Sequence, residues 1–169
     1  MELRAATRND VDGMLAIYAP FIQNTAVSFE ETVPSEADFW SRVEAVQQGG
    51  LPWLVAVEDA TVAGYAYASD HRSRSSYRLT KEASVYVNEA FRGKGVARTL
   101  YSAIFEQLEA QGVQNVLAGM TEPNPASRGF HISMGFSLVG TYHNIGYKFG
   151  KWHDVSWYEK RLVAADAGQ

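Results

Sequence analysis

One uninterrupted stretch, residues 83–110, constrains the fold more than any other part of the sequence. Its first five residues (ASVYV) alternate and are rich in β-branched and aromatic side chains, which predicts a central strand. Residues 88–95 (NEAFRGKG) then form a turn with two glycines. Apolar residues next recur with the spacing of an amphipathic helix, at Val96, Leu100, Ile104 and Leu108. A strand, a glycine turn and a helix therefore follow one another directly.

Patterns on either side of this stretch extend it to a longer series of elements. The predicted strands are residues 2–5, 53–57, 62–67, 83–87, 113–118, 139–142 and 155–162. Helical patterns fill the intervals and give the order β-α-α-β-β-β-α-β-α-β-β. Because neighbouring strands are often joined without a helix, this order predicts an α/β or α+β domain with a mixed sheet. It argues against a doubly wound nucleotide-binding fold.

Size and composition narrow the class of protein. The 169 residues fit one domain, since domains usually hold about 100–200 residues. We expect that domain to span residues 1–163, with 164–169 as a flexible tail. The sequence has no cysteine, which excludes disulfides, thiolate metal sites and a cysteine nucleophile. The four histidines lack the spacing of a zinc site, so we predict no catalytic metal.

Charge and hydropathy limit the kinds of partner that the protein is expected to bind. A net charge of −4 argues against nonspecific binding to nucleic acid, which draws on a broad basic surface. No run approaches the roughly 18 apolar residues of a membrane span, and the N-terminus has no apolar signal core. We therefore expect a cytoplasmic protein without membrane contact.

The glycine turn is suited to a small anion. The first N–H groups of a helix lack internal partners and the helix dipole is positive there, so this turn can hold a phosphate. A P-loop requires G-x-x-x-x-G-K-[ST], which is absent. A Rossmann fingerprint requires a third glycine where this sequence has Arg98. Taken alone, the turn is also compatible with a solvated helix start that binds nothing.

The turn does match [RQ]-x-x-G-x-[GA], as RGKGVA at residues 92–97, and so resembles the pyrophosphate loop of the GNAT acyltransferases. The segments NPAS at 124–127 and GF at 135–136 are similar to the family's second CoA-contacting segment. WHDV at 152–155 and the pattern R-x-x-Y-x-x-T-x-E at 74–82 resemble the phosphinothricin N-acetyltransferase branch. That branch is similar to enzymes acting on methionine sulfoximine and methionine sulfone.

This resemblance implies a fold, a cosubstrate and a set of contacts. The implied fold is the GNAT one, a mostly antiparallel central sheet with a splayed strand pair, flanked by helices. The implied cosubstrate is acetyl-CoA. Its contacts would come from Val85, Tyr86, Val87, Arg92, Gly93, Lys94, Gly95, Val96, Ala97, Arg98, Asn124 and Ser127. A backbone N–H of Val85 or Tyr86 would hold the thioester oxygen, and direct attack in a ternary complex is the expected route.

Two side chains are candidates for proton transfer. An amine must lose a proton before it attacks a thioester, and Glu82 matches the acidic residue of the branch at that task. The alternative is a strand-end glutamate in solvent, or one paired with Arg78 or Lys81. His131 stands where many GNAT enzymes carry a tyrosine, and could act as acid or base. It could equally be a packed helix histidine.

The acceptor is expected to be a small amino-acid-like amine. Arg72, Arg74 and Tyr77 lie in the polar loop before Glu82 and suit an acceptor with a carboxylate and a second polar oxygen group. Phe29 would supply an apolar wall. The alternative is that these arginines bind no acceptor and only keep an exposed loop soluble.

The dense aromatic residues of 142–158 predict a homodimer interface, as in the branch, or else a plain core strand. Two other functions stay open. A peptide or protein N-terminal acetyltransferase would need an open groove, which the cationic loop disfavours. A non-catalytic acyl-CoA sensor would need neither Glu82 nor His131.

Overall fold

The structure is a computed structural model that describes residues 1–162. Residues 1–162 contain seven strands and four α-helices, which follow one another in the predicted order. In chain order they are β1 Glu2–Ala5, α1 Val11–Asn24, α2 Glu36–Gln48, β2 Trp53–Glu58, β3 Thr61–Asp70, β4 Thr80–Val87, α3 Val96–Ala110, β5 Asn115–Thr121, α4 Pro125–Ser133, β6 Ser137–Lys148 and β7 Lys151–Arg161. The predicted tail at 164–169, and the last residue of the predicted domain, lie outside the described residues.

All seven strands form one sheet, in the order β1-β2-β3-β4-β5-β7-β6. Every neighbouring pair is antiparallel except β4 and β5, which are parallel. The parallel pair requires a crossover connection, and α3 supplies it. The predicted mixed and mostly antiparallel sheet is confirmed.

The sheet has a hydrophobic core on each face, because alternate strand residues point to opposite sides. In β2, Leu54 and Ala56 join the core under α3, while Val55 joins the core under α1 and α2. The α3 residues spaced by four, Leu100, Ile104 and Leu108, are fully buried. Each such side chain contributes about 1.5–3 kcal/mol through burial. Helix α3 is thereby held firmly against the middle of the sheet.

Three predicted boundaries differ from the structure. The strand predicted at 113–118 begins two residues later, because Val113 donates its N–H to Leu108 and completes the end of α3. The polar loop predicted at 69–81 is shortened by β3 and β4 and contains the short 3-10 helix Ser75–Tyr77.

The largest difference is the β6–β7 hairpin, whose two strands also occupy most of residues 143–154. A register shift between Tyr142 and Gly146 interrupts the pairing, and Asn144 has a positive φ there. Such a bulge breaks the period-two alternation from which a strand is predicted. Phe149 and Gly150, both with positive φ, form the turn of the hairpin.

Candidate active site

The middle of the sheet opens between β4 and β5. The two strands pair only from Thr80 to Glu82 on β4, opposite Asn115 to Leu117 on β5. Beyond that point β4 stays paired with β3 while β5 stays paired with β7. The strands therefore separate directly after Glu82, and the backbone of 83–87 has one edge without a strand partner among the described residues.

The direction of the N–H groups along β4 shows which residues face this opening. Asn88, just past the strand, donates its N–H to Ala63 of β3 at 2.9 Å. Because N–H direction alternates along a strand, the N–H of Tyr86 also points to β3. Those of Val85 and Val87 point the other way, into the opening. Of the two donors expected for a thioester oxygen, the geometry thus favours Val85.

The glycine turn connects β4, one side of the opening, to α3. Gly93 and Gly95 have φ of 76° and 81°, values that favour glycine over other residues. Thr99 is the first helical residue whose N–H finds a carbonyl, that of Gly95 at 3.0 Å. Within the described part of the chain, the preceding N–H groups of Val96 and Ala97 have no helical acceptor. They form a donor cluster at the positive end of α3, suited to a pyrophosphate.

The three cations of the turn differ in their surroundings. Arg92 is well exposed and lies 3.9 Å from the Glu89 carboxylate, too far for a strong ion pair. Lys94 lies over the Phe91 ring, 4.7 Å from its centroid. Arg98 donates to the Ser133 hydroxyl of α4 at 2.9 Å. Arg92 and Lys94 are therefore available to an anion, whereas Arg98 also links α3 to α4.

Helix α4 borders the glycine turn. Asn124 caps it by accepting the Ser127 N–H at 3.1 Å, which leaves the two amide N–H groups of its side chain to other partners. The Ser127 hydroxyl lies 3.3 Å from Nδ1 of His131 one turn later. Asn124 and Ser127 thus have a structural role in the helix, and the cofactor contacts expected of them stay predictions.

His131 is buried, and both ring nitrogens have partners. Its Nδ1 lies 2.8 Å from the Ser127 carbonyl oxygen, which can only accept, so Nδ1 carries the proton. Nε2 lies 3.1 Å from the Tyr101 hydroxyl, which also reaches the Ala83 carbonyl oxygen of β4 at 3.2 Å. Burial lowers the pKa of His131, although the Ser127 bond acts in the opposite direction. The imidazole is therefore neutral near pH 7.

Tyr101 was not predicted as a site residue, because its helical position looks like an ordinary core position. Its hydroxyl is nonetheless the link between His131 and the strand that opens. The phenol is buried, and burial raises its pKa far above the usual value. It therefore remains protonated, and its single O–H is shared as a donor between the Ala83 carbonyl oxygen and Nε2 of His131.

Glu82 and Phe29 meet at one cavity of about 480 Å³ between the diverging strands. Its other walls include Ser84 from β4, Met120 from β5 and Trp157 from β7. The Trp157 ring packs on Gly119, where an added Cβ would lie 3.1 Å from it. The cavity is therefore mostly apolar with one carboxylate at its mouth.

The loop that carries Phe29 is held by β6. The Phe29 ring occupies the space above Gly146, where any side chain would collide with it. The buried Lys148 ammonium donates to the carbonyl oxygens of Ile22 and Ser28, each at 2.7 Å. Burial lowers the pKa of Lys148. Neither contact follows from local sequence spacing, since each joins residues more than 100 positions apart.

Arg72, Arg74 and Tyr77 lie together in the loop between β3 and β4. With Ser73 they line a cavity of about 380 Å³, and the Arg72 guanidinium lies over the Tyr77 ring, 5.6 Å from its centroid. Arg72 also borders a second cavity, of about 480 Å³, whose wall includes His71 and Trp157. Trp157 and Tyr142 line this cavity as well as the one that contains Glu82. The predicted acceptor residues thus border adjoining spaces.

His71 is a residue that sequence reasoning missed. It was considered only as a metal ligand, whereas its Nδ1 lies 2.8 Å from the Glu82 carboxylate. Of the two ion pairs considered for Glu82, with Arg78 or Lys81, neither is present: Lys81 pairs instead with Asp70. Register could have suggested the His71 contact, because Ser69 lies opposite Glu82.

The outer part of the β6–β7 hairpin is apolar and exposed. Four aromatic side chains of this hairpin are more than half exposed, namely Tyr142, Tyr147, Phe149 and Trp152. Tyr158, by contrast, belongs to the core under α3. The segment 142–158 therefore combines an inner core strand with an exposed aromatic surface.

The described residues contain neither a membrane-spanning helix nor a metal-binding cluster. None of the helices within 1–162 is both long and apolar enough to span a bilayer. Across the same residues, no cluster of three or more histidine, aspartate or glutamate side chains is arranged to hold a metal ion.

The chain is similar to a protein family, to individual relatives in sequence and to solved structures. Residues 3–157 match the family described as acetyltransferase (GNAT) domain. A phosphinothricin N-acetyltransferase of Alcaligenes faecalis is 36% identical over 97% of this chain and 84% of its own. An L-methionine sulfoximine/L-methionine sulfone acetyltransferase of Pseudomonas paraeruginosa is 37% identical over 95% of this chain and 94% of its own.

The chain is also similar to a solved structure, that of a GNAT superfamily phosphinothricin acetyltransferase from Sinorhizobium meliloti in complex with AcCoA. It superimposes with a TM-score of 0.92 at 33% identity and covers 99% of this chain and 91% of its own.

Proposed function

Since the chain belongs to the GNAT family of acetyltransferases, we propose that it transfers the acetyl group of acetyl-CoA to the amino group of a small amino-acid-like acceptor. The observation that carries this proposal is the separation of β4 from β5 directly after Glu82. It leaves backbone donors, a carboxylate and an apolar cavity side by side. The acceptor would be of the phosphinothricin, methionine sulfoximine or methionine sulfone type.

The glycine turn and the free edge of β4 would hold the cosubstrate. The pyrophosphate would lie on the N–H groups at the start of α3, with Arg92 and Lys94 adding charge. Val85 would donate its N–H to the thioester oxygen, where negative charge develops during attack. Bound acetyl-CoA supplies the acetyl group in an activated form. Further contacts to the cosubstrate would come from Tyr86, Val87, Gly93, Gly95, Arg98, Asn124 and Ser127.

Glu82 would act as the base. An α-amino group has a pKa of about 8 and is mostly protonated at pH 7, so it must lose a proton before it attacks. The Glu82 carboxylate lies at the mouth of the cavity that would contain this amine. A proton acceptor so placed contributes roughly 10²–10⁴-fold to the rate.

For His131 we propose a more specific role than the acid or base predicted from the sequence. A neutral imidazole whose Nδ1–H is bonded to Ser127 can take part only through Nε2. Nε2 faces the Tyr101 hydroxyl, which is bonded to β4 beside the opening. We therefore propose that His131 acts through Tyr101 and does not itself touch the reacting atoms.

Arg72, Arg74 and Tyr77 would bind the acceptor's acidic and polar oxygen groups, and Phe29 would contact its aliphatic part. The names of the relatives support this choice of acceptor class, because both describe amino acids with a second oxygen-rich group. The adjoining cavities bordered by Arg72 and Glu82 support it as well.

We also propose a homodimer through the β6–β7 hairpin. Its exposed aromatic surface is large for an edge that faces only water, and such surfaces often mark interfaces. Tyr142 belongs both to this hairpin and to the wall of the Glu82 cavity, so a partner there would help to close the site. The reaction would take place in the cytoplasm, which supplies acetyl-CoA.

The test of the function is acetylation with a panel of acceptors. Release of CoA is measured with phosphinothricin, methionine sulfone, methionine sulfoximine, common amino acids and short peptides. We expect turnover with at least one of the first three. Preference for peptides would support an N-terminal acetyltransferase, and tight acetyl-CoA binding without any turnover would support a sensor.

Glu82→Gln tests the base. We expect kcat to fall roughly 10²–10⁴-fold while acetyl-CoA binding, followed by calorimetry, is unchanged. Glu106→Gln, on the exposed face of α3, is the matched control and should retain full activity. An unchanged kcat and pH profile for Glu82→Gln would remove Glu82 from the mechanism.

A further inference from the structure

Glu82 has a histidine partner at the mouth of the opening. His71, the first residue after β3, places Nδ1 2.8 Å from Glu82 Oε1. The two side chains are only 18% and 31% exposed, so water reaches this contact from a limited direction. An interaction of this length between partly buried groups restrains both side chains.

The tautomer of His71 follows from the contact that its other ring nitrogen, Nε2, makes with Arg72. Nε2 lies 3.3 Å from Nε of Arg72. A guanidinium can only donate, so Nε2 accepts and the ring proton lies on Nδ1. The Nδ1–H therefore donates to the Glu82 carboxylate. Arg72, His71 and Glu82 form a chain of hydrogen bonds that runs from the acceptor loop to the proposed base.

Two aromatic rings fix the plane of the imidazole. Tyr77 meets it edge-on with a centroid distance of 5.7 Å, and Trp157 does so at 6.3 Å. Tyr77 comes from the acceptor loop and Trp157 from β7, so the ring is held from two directions.

We propose that His71 is a positioning residue for acetyl transfer. Its Nδ1–H holds Oε1 of Glu82 and leaves Oε2 free to take a proton from the acceptor. The inference rests on the proposed function, and specifically on Glu82 as the base. A carboxylate held at one oxygen presents the other to the acceptor in one orientation, and a general base must be positioned in this way.

The proton balance of the step is simple. The acceptor enters as an ammonium and gives one proton to Glu82, which breaks an N–H bond and forms an O–H bond. The neutral amine then forms a C–N bond with the thioester carbon as the C–S bond breaks. The second nitrogen proton balances the thiolate, which leaves as the thiol, and Glu82 returns its proton to solvent.

Charged and titratable groups near His71 come from several elements. They are Arg72 and Tyr77 of the loop, Glu82 of β4 and Glu159 of β7. Of these groups, Arg72 and Glu82 are the two that hydrogen-bond the imidazole.

The experiment compares two replacements of His71. His71→Phe retains a ring between Tyr77 and Trp157 but removes both nitrogens, whereas His71→Asn retains an N–H close to the position of Nδ1. We expect His71→Phe to lower kcat for the acceptor roughly 10-fold or more, with the KM for acetyl-CoA within about twofold of wild type. His71→Asn should recover most of the loss.

A double variant shows whether His71 acts through Glu82. In a Glu82→Gln background, His71→Phe should lower kcat by less than about twofold, since residues that act as a unit are not additive. Asp70→Asn is the control: it breaks the neighbouring cross-strand pair with Lys81 and should leave kcat and the pH profile unchanged. A full loss in both backgrounds would overturn the inference.

The outcomes also separate this inference from the proposed function. If wild type acetylates an acceptor and His71→Phe does so at the same kcat and with the same pH profile, only the role of His71 is overturned. If wild type acetylates no acceptor of the panel, the function and the role of His71 are both overturned.

Discussion

Burial determines the protonation state of His131, and with it the way this residue can serve the site. The imidazole is enclosed by Tyr101, Phe130 and Phe136, with ring centroids 5.1–5.5 Å away. A charged ring would lose its water there without gaining an anionic partner, and this cost lowers its pKa. The sequence predicted that His131 acts as acid or base. Its protonation state, however, depends on its surroundings, which include residues of other helices and strands.

A pH prediction follows for stability. Unfolded histidine binds its proton near pH 6.5, whereas folded His131 does so only at lower pH. The contribution of the neutral His131 to the free energy of unfolding is therefore fully present above about pH 6.5, and it is lost as the pH falls through the pKa of the folded state. His131→Asn should cost about 1–2 kcal/mol at neutral pH through the lost Tyr101 bond.

The difference in unfolding free energy between wild type and His131→Asn should shrink from pH 7.5 to 5.5. Urea unfolding at several pH values measures it. Asp10, Glu30, Glu122 and Asp154 also have lowered pKa values, but they titrate in the acid range and are common to both proteins. Parallel stability curves would contradict the explanation.

Helix α3 and its two flanking turns are the element that sequence predicted best. The apolar spacing, the glycines before Val96 and the stop at Gly112 are all local signals, and each has its expected conformation. The β6–β7 hairpin was predicted least well, because its bulge hides the alternation. Elements with an uninterrupted period can be predicted from sequence, whereas an irregular strand becomes clear only when its partner is known.

The two glycines that bound α3 allow a matched test of the turn. Gly95 and Gly112 have φ of 81° and 79°, and among residues 1–162 each has open space where a Cβ would be. Alanine at either position should cost about 1 kcal/mol, because positive φ is strained for an L-residue. Thermal unfolding should show a Tm lower by roughly 2–4 °C in both variants.

Only Gly95→Ala should weaken acetyl-CoA binding, roughly tenfold, since Gly95 precedes the donor cluster at the start of α3. Gly112→Ala, at the opposite end, controls for the loss of stability. Calorimetric titration distinguishes the two effects. Equal Kd values in the two variants would argue against the turn as the pyrophosphate site.

At the scale of the whole molecule, the sheet has two covered faces and one apolar edge region. The cores under α1 and α2 and under α3 cover its middle. Strand β6 ends the sheet on one side and carries exposed Leu138, Val139, Tyr142, Ile145 and Tyr147. Of the predicted alternatives for 142–158, the core strand is confirmed for β7, which is internal to the sheet, whereas the interface at the edge strand β6 stays a prediction.

Association through this edge is testable with the double variant Tyr147→Ser/Trp152→Ser. These rings contact each other with centroids 5.2 Å apart and are more than half exposed. We expect wild type to be a dimer at micromolar concentration by light scattering, and the double variant to be a monomer with a raised KM for the acceptor. Ile132→Ser, an equally exposed apolar residue on α4, should remain a dimer. A monomeric wild type would end the dimer proposal.

The sequence by itself determined the order of strands and helices, the glycine turn and the family of the chain, because these depend on spacing between residues that are near one another in the chain. Only the tertiary structure decided which distant side chains meet. His71 contacts Glu82 through the register of β3 and β4, and Lys148 holds the Phe29 loop through β6. Such contacts depend on strand register, twist and side-chain packing, which no short segment contains.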